Sequence, residues 1–188
     1  MRRKLIIFAC SATVLSVSTF SATAWDTPEI YGFGRPPTSS EVTAWNITIM
    51  PDGTGLPPGH GTVAKGAAIY STKCAACHGR TGSEGPFETL VGTQSLAEEI
   101  NAHEMPKRTI GNTWFSAPVL FDYVRRAMPF NDPGSLTTDE LYSLTGWLLY
   151  RNGLFNENQT VDAKTLSKVK MPASRIFVED PRRPWLVR

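Results

Sequence analysis

The chain has 188 residues, 41% of them hydrophobic, which is enough for one domain with extensions or for two very small domains. Lysine and arginine together number 19 against 17 aspartate and glutamate residues, a formal net charge of +2. This balance, without a basic stripe interleaved with aromatic residues, excludes nucleic acid as an expected partner.

Residues 1–24 have the pattern of a secretory signal peptide. Residues 2–4 are basic, residues 5–20 are apolar or small, and residues 22–24 read Ala-Thr-Ala, the small residues that a signal peptidase requires. We expect cleavage before Trp25 and a periplasmic location. The alternative is an uncleaved anchor, but the apolar run is shorter than the ~20 residues that span a bilayer, so no stable membrane span is expected.

Residues 25–61 form a proline- and glycine-rich N-terminal arm, with a short predicted helix at residues 39–45. The arm carries several aromatic residues, which are unusual in a freely disordered segment: Trp25, Tyr31, Phe33 and Trp45. We therefore expect the arm to pack on the domain or on a partner subunit.

A helix is predicted over residues 62–73. Thr62 is a suitable N-cap, and three apolar residues fall on one face at helical spacing, namely Val63, Ala67 and Tyr70. Gly66 lowers the helix propensity of this segment by up to ~1 kcal/mol relative to alanine. Its presence predicts that another helix crosses closely at this point.

The residues after this helix read Cys74-Ala-Ala-Cys77-His78, the attachment pattern of a c-type heme. Each thiol forms a thioether with one heme vinyl group, and the histidine coordinates the iron. A thioredoxin-like redox pair would need a βαβ context, and a zinc site would need two further ligands, for which only the isolated His60 and His103 remain. Because Cys10 leaves with the signal peptide, we predict one covalently bound heme c.

A loop at residues 82–86 follows the motif and contains Pro86. We expect a carbonyl of this loop to accept a hydrogen bond from the His78 ring nitrogen that does not face the iron. Such a bond fixes the tautomer of the ligand.

We predict that Met128 is the second axial ligand, because an amphipathic helix at residues 118–127 leads to it and Pro129 ends that helix. Met105-Pro106 has the same local form but no comparable helix before it. The other methionines of the mature chain are Met50, in the arm, and Met171, in the tail.

The longest predicted helix covers residues 137–152, with Thr137 or Thr138 as its N-cap and Gly153 at its end. The face expected to cross the helix of Gly66 consists of Leu141, Leu144, Gly146 and Trp147 or Leu148. No alternating strand pattern of useful length occurs between residues 62 and 153. The fold class predicted is therefore all-α, with residues 62–153 as one small domain around the heme.

Residues 154–188 form a basic C-terminal tail that also contains aromatic residues, among them Phe155, Phe177 and Trp185. We expect this extended tail to pack on the domain or on a partner. On that basis, deleting residues 160–188 should weaken partner binding with little change in the heme spectrum.

Residues 62–153 resemble class I cytochrome c in Gly66, Tyr70, the heme motif, Met128-Pro129 and the last helix around Trp147. The resemblance implies a fold of three to five helices around one covalent heme, with irregular extensions at both ends. It also implies that the first and last helices cross near Gly66 and Tyr70 against Leu144 and Trp147, and that the Met128 loop covers the far face of the heme.

Nearly the whole mature chain resembles the cytochrome subunits of bacterial sulfite dehydrogenases and of the Sox sulfane dehydrogenase. The strings that carry this resemblance are YGFGRPPTSSEVTAWNITIMPDGTGLPPGHGTVAKGAAIY, LFDYVRRAMPF, SLTTDELYSLTGWLLYRNG and KVKMPASRIFVEDPRR. It implies a monoheme electron carrier that takes electrons from a molybdenum-cofactor subunit and passes them to another cytochrome c or to an oxidase. No catalytic residue and no independent catalysis are then expected on this chain.

Two other functions remain open from the residues alone. One is a heme enzyme or ligand sensor with an open sixth coordination site, in which Met128 is a core residue. The other is a cytochrome that serves a different dehydrogenase, for example one acting on alcohols. The basic side chains near the predicted site either steer an acidic partner or are simply solvated: Lys107, Arg108, Arg125 and Arg126.

Overall fold

The computed structural model describes residues 34–92 and 107–178. The chain divides into two units, Met1–Thr38 and Ser39–Arg188. The described part of the first unit, residues 34–38, is exposed and has no regular secondary structure. The predicted signal peptide, His103, Met105 and the aromatic residues Trp25, Tyr31, Phe33 and Trp185 lie outside the described residues.

The described part of the second unit is mostly helical, which confirms the all-α prediction. Its α-helices are α1 Ser39–Trp45, α2 Val63–Lys73, α3 Ala75–His78, α4 Ile110–Thr113, α5 Ala117–Ala127, α6 Thr138–Arg151 and α7 Ala163–Leu166. A 3-10 helix covers Pro172–Arg175, and two short strands are β1 His60–Gly61 and β2 Val161–Asp162. The four predicted helices correspond to α1, α2, α5 and α6, and α3, α4 and α7 are single turns.

The centre of the domain is the crossing of α2 and α6. A Cβ atom on Gly66 would overlap Ser143 O and would lie 2.6 Å from Trp147 Cβ, so glycine permits the close approach of the two backbones. Beside it, the rings of Tyr70 and Trp147 stack with centroids 4.0 Å apart, and both side chains are buried. The predicted crossing is confirmed.

The ends of these helices follow from local hydrogen bonds. The Thr62 side chain accepts from Lys65 N at the start of α2. At the start of α6, Thr137 and Glu140 form a reciprocal capping box, so Thr137 and not Thr138 is the N-cap. Gly153, with a φ of 72°, lets the chain turn after Asn152.

One residue of α6 faces a different neighbour from the one predicted. A Cβ atom on Gly146 would overlap Val161 Cγ2, so this glycine makes room for β2 and not for α2. Gly146 lies three residues after Ser143, which takes the contact with Gly66. Three helical steps of about 100° leave Gly146 about 60° around the axis from Ser143, on the side where Val161 packs.

Helix α5 packs a strongly apolar face onto α6. Its buried residues are Ala117, Pro118, Leu120, Phe121 and Val124. The Phe121 ring lies 4.7 Å from the ring of Tyr142, measured between centroids. The last residue of α5 therefore has a fixed place relative to the core, and Met128 follows it directly.

Both extensions contribute side chains to the core. Strands β1 and β2 pair antiparallel, with His60 opposite Asp162 and Gly61 opposite Val161. The tail residues Val161 and Leu166 have no exposed surface, and Met171 is 2% exposed. From the arm, Ile49 is buried, and the Pro57 carbonyl accepts a hydrogen bond of 2.8 Å from Tyr142 Oη.

Other parts of the extensions are exposed to solvent. Trp45 is 87% exposed, and no residue of α1 is buried. Near the end of the described tail, Ile176, Phe177 and Val178 are all more than half exposed. Among the described residues, no helix combines the length and the apolar character needed to cross a bilayer.

Candidate heme-binding site

The two cysteines and the histidine of the motif lie on one helical turn. Cys74 ends α2 and begins α3, since Cys74 N donates to Tyr70 O over 2.9 Å while Cys74 O accepts from Cys77 N and His78 N over 3.1 and 3.0 Å. Gly79, with a φ of 81°, ends the turn. The sequence spacing thus becomes a rigid i, i+3, i+4 arrangement of two thiols and an imidazole.

The two thiols differ in their surroundings. Cys74 is half-buried and packs against the core, whereas Cys77 is exposed. Burial raises the pKa of the Cys74 thiol to about 11, although the nearby Lys73 opposes this effect. Before heme attachment, Cys74 would therefore be a neutral thiol at physiological pH. Among the described residues, no cluster of three or more His, Cys, Asp and Glu side chains suited to a metal ion occurs.

The His78 ring is oriented by a backbone carbonyl. Its Nδ1 lies 2.9 Å from Glu88 O. A carbonyl oxygen only accepts, so Nδ1 carries the proton and donates, and Nε2 keeps the lone pair that a metal requires. The acceptor had been predicted within the loop at residues 82–86. That prediction was wrong by two residues, because the acceptor is Glu88 O.

The path of the loop explains this difference. Gly82 O accepts from Leu90 N and Val91 N over 2.7 and 3.0 Å, so the chain closes on itself beyond residue 86. The Glu84 carboxylate accepts hydrogen bonds from Thr81 and Ser83, which lower its pKa to about 2. These bonds direct residues 82–86 into their own turn, and the chain reaches the imidazole only at Glu88.

Tyr70 holds the turn that carries His78 through a hydrogen bond. Its hydroxyl donates to Gly79 O over 2.8 Å, directly after His78. Burial, together with the nearby Cys74 and Glu84, raises the pKa of Tyr70 to about 12, so the phenol remains a donor at neutral pH. Tyr70 was predicted for the helix crossing, and the hydroxyl contact had no signal in the sequence.

Met128 stands at the end of α5. Its backbone N donates to Val124 O over 3.1 Å, and its half-buried side chain packs on the same core cluster as Cys74, Ala75 and Leu90. Among the described alternatives, Met50 is 48% exposed, and Met171 is a buried residue of the tail. Met105, with its similar Met-Pro sequence, lies outside the described residues.

The last turn of α5 is tied to the arm. Arg126 Nε lies 2.9 Å from Asp122 Oδ1, and Arg126 Nη2 donates to Ile47 O over 3.0 Å. The Arg126 guanidinium thus braces the helix that ends at Met128. These contacts of Arg126 lie within the chain and differ from the steering of an acidic partner that the sequence analysis left open for this residue.

These residues fit a covalently attached heme. Two thiols three residues apart, an imidazole with its Nδ1 tied to a carbonyl, and a methionine thioether on the same core form the donor set of a His/Met-ligated c-type heme. In this arrangement Cys74 and Cys77 would hold the macrocycle, and His78 and Met128 would hold the iron.

Comparison with known proteins gives one family match and one structural match. Residues 61–148 match the family model of cytochrome c oxidase, cbb3-type, subunit III. A chain in the crystal structure of the sulfane dehydrogenase SoxCD from Paracoccus pantotrophus is 36% identical, with a TM-score of 0.70 over 82% of this chain and 74% of that chain. No curated protein sequence matches significantly.

Proposed function

Because this chain belongs to the c-type cytochromes and is a heme protein of electron transfer, we propose that it carries single electrons on one covalently bound heme c, held by Cys74, Cys77, His78 and Met128. The observation that supports this most directly is the His78 ring, whose Nδ1 donates to Glu88 O over 2.9 Å beside the two thiols. A histidine fixed in this way offers only Nε2 to a metal.

The residues divide the work of electron transfer between them. The heme supplies one-electron cycling between Fe(III) and Fe(II). Cys74 and Cys77 would fix the group to α3, and the Glu88 carbonyl orients the His78 ring so that Nε2 faces the iron. As second ligand, Met128 would favour the reduced iron and would leave no coordination position for a substrate. The chain would therefore transfer electrons and would not itself oxidise a substrate.

We further propose that the electron donor is a molybdenum-cofactor subunit of a sulfite or sulfane dehydrogenase, and that the acceptor is another cytochrome c or an oxidase. Two observations support this proposal. The similarity to the SoxCD chain extends over 82% of this chain, more than the heme domain alone. In addition, the sequences of both extensions resemble those of the cytochrome subunits of sulfur-compound dehydrogenases. We also propose that the chain is exported to the periplasm, the compartment in which heme is attached, and that the signal peptide is cleaved before Trp25.

Spectroscopy of the purified protein tests the heme proposal. We expect a mass increment of one heme that survives denaturation, a weak near-infrared band from sulfur-to-iron charge transfer in the oxidised form, and no response of the reduced form to carbon monoxide. A missing band with ready carbon monoxide binding would instead support a heme enzyme or ligand sensor with an open sixth site.

Co-purification of the tagged chain from its native host tests the partner. We expect a larger subunit that contains molybdenum and that reduces the heme when sulfite or a sulfane substrate is added. Recovery of a quinoprotein that reduces the heme with an alcohol would contradict the sulfur proposal and would leave the electron-carrier proposal intact. N-terminal sequencing of the same sample should begin at Trp25.

A further inference from the structure

Asn152, the residue that follows α6, uses every hydrogen-bonding group of its side chain. Its Oδ1 accepts from Gly92 N and Gly111 N over 3.2 and 3.1 Å. Its Nδ2 donates to Leu90 O and Leu148 O over 3.1 and 2.8 Å. The residue is 7% exposed, so these four bonds replace water almost completely. Asn152 thus joins three segments that are distant in sequence.

Two glycines make room for this side chain and its partners. A Cβ atom on Gly111 would lie 3.0 Å from Asn152 Oδ1, and one on Gly92 would lie 2.7 Å from Thr109 Cγ2. Leu90 O accepts a second hydrogen bond, from Ile110 N over 3.0 Å. Residues 90–92 are therefore held between the end of α6 and the start of α4.

The segment held by Asn152 begins shortly after the residue that accepts from His78. Glu88 lies two residues before Leu90, and Leu90 N and Val91 N are bonded to Gly82 O over 2.7 and 3.0 Å. With residues 90–92 fixed at one end and the heme motif at the other, little freedom remains for the Glu88 carbonyl. On the side of the heme motif, Phe87 N donates to Cys77 O over 3.2 Å, and the Glu88 carbonyl lies 2.9 Å from His78 Nδ1 between these two anchors.

We infer that Asn152 is a positioning residue for His78, acting through residues 90–92 and the Glu88 carbonyl. The inference rests on the proposed heme site. When Asn152 is lost, the Glu88 carbonyl moves away from Nδ1, the imidazole becomes a weaker donor to iron, and the oxidised state loses stabilisation. The expected result is a higher reduction potential together with a more exposed Nδ1 proton.

The test compares Asn152→Ala with the wild-type holoprotein by NMR of the reduced form and by redox titration. Exchange of the His78 Nδ1 proton and of the Gly92 and Gly111 amide protons should become about tenfold faster, as expected for the loss of a hydrogen bond. The reduction potential should rise. Gly111→Ala, which places a methyl group against Asn152 Oδ1, should shift both readouts in the same direction and serves if Asn152→Ala does not fold.

Tyr142→Phe is the matched control, because it also removes a part-buried hydrogen bond of α6, the one of 2.8 Å to Pro57 O on the arm. It should lower stability without changing the potential or the His78 proton. Variants of Asn152 and Gly111 with wild-type potential and wild-type Nδ1 exchange would overturn the inference, whether or not the two glycine amides exchange faster. A wild-type protein without attached heme would instead overturn the proposed function, and the inference with it.

Discussion

The role proposed for Met128, that of second iron ligand, follows from its place in the fold. Its thioether is half-buried on the core that also receives Cys74, and α5 holds its backbone. Met128→Ala should abolish the near-infrared sulfur-to-iron band and lower the reduction potential by about 60 mV or more, a tenfold change in a one-electron equilibrium. A redox titration monitored by absorption spectroscopy measures both the near-infrared band and the reduction potential.

The control is Met50→Ala, since Met50 is 48% exposed and its loss should leave both readouts unchanged. If Met128→Ala kept the wild-type band and potential while Met105→Ala lost them, the assignment of the sixth ligand would be wrong.

Glu84 gives the loop after the heme motif a pH dependence. Hydrogen bonds from the Thr81 hydroxyl and amide lower its pKa from 4.5 to about 2. A carboxyl whose pKa is depressed in the folded state stabilises that state fully above pH 4.5, and this contribution is lost as the pH falls toward 2. We expect the Thr81 and Ser83 amide protons to lose their protection over that window.

Glu84→Gln should remove this pH dependence and weaken the protection at neutral pH, measured by amide hydrogen exchange. Glu88→Gln is the matched control, because it removes a carboxyl from the same loop while His78 uses only the Glu88 backbone carbonyl. An identical pH profile in the wild type and in Glu84→Gln would refute the role of Glu84.

Between elements, the crossing of α2 and α6 makes two effects of opposite sign act on the stability of a Gly66→Ala variant. Helix propensity alone predicts that Gly66→Ala stabilises the protein by up to about 1 kcal/mol. The added methyl group, however, would overlap Ser143 O and lie 2.6 Å from Trp147 Cβ. Overpacking of this kind costs about 1–3 kcal/mol, so we expect a net loss in the free energy of unfolding.

Chemical denaturation measures the change in the free energy of unfolding. Ala68→Gly, at an exposed position of the same helix, should cost up to about 1 kcal/mol and shows the size of the propensity term alone. A stabilised Gly66→Ala protein would mean that the two helices separate easily and that the crossing is not tightly packed.

At the element scale, local signals in the sequence predicted the helices well. Thr62 and Thr137 cap their helices, and Gly66 marks the crossing, because each of these residues acts through its own side chain or its lack of one. The Glu88 carbonyl could not be predicted, since every residue has a carbonyl and only the folded loop selects one. Asn152 looked like an ordinary helix end, and its partners, Gly92 and Gly111, are about 40 to 60 residues away.

For the whole molecule, the structure changes the expected role of the tail. The sequence led us to expect that residues 160–188 could be deleted with little effect on the heme spectrum. However, Val161 and Leu166 have no exposed surface, Met171 is 2% exposed, and Val161 fills the space that Gly146 leaves on α6. Scattered apolar residues between polar ones gave no periodic signal of this burial, and β2 pairs with a strand about 100 residues earlier.

Burial of each of these three side chains contributes roughly 1.5–3 kcal/mol. Their combined loss is comparable with the 5–15 kcal/mol that holds a typical domain folded. The predicted domain, residues 62–153, should therefore be marginal or unfolded when expressed alone, and deletion of residues 160–188 should disturb the heme spectrum by loosening α6.

This prediction is tested by expressing two fragments, residues 39–178 and residues 62–153. For each fragment, heme incorporation and the midpoint of guanidinium unfolding are measured. The longer fragment keeps β1, β2 and the buried tail residues, and should incorporate heme and unfold cooperatively at a clearly higher denaturant concentration. Equal midpoints would show that the extensions contribute little to stability. The deletion of residues 160–188 would then leave the heme domain intact and would test the proposed contact with a dehydrogenase subunit directly.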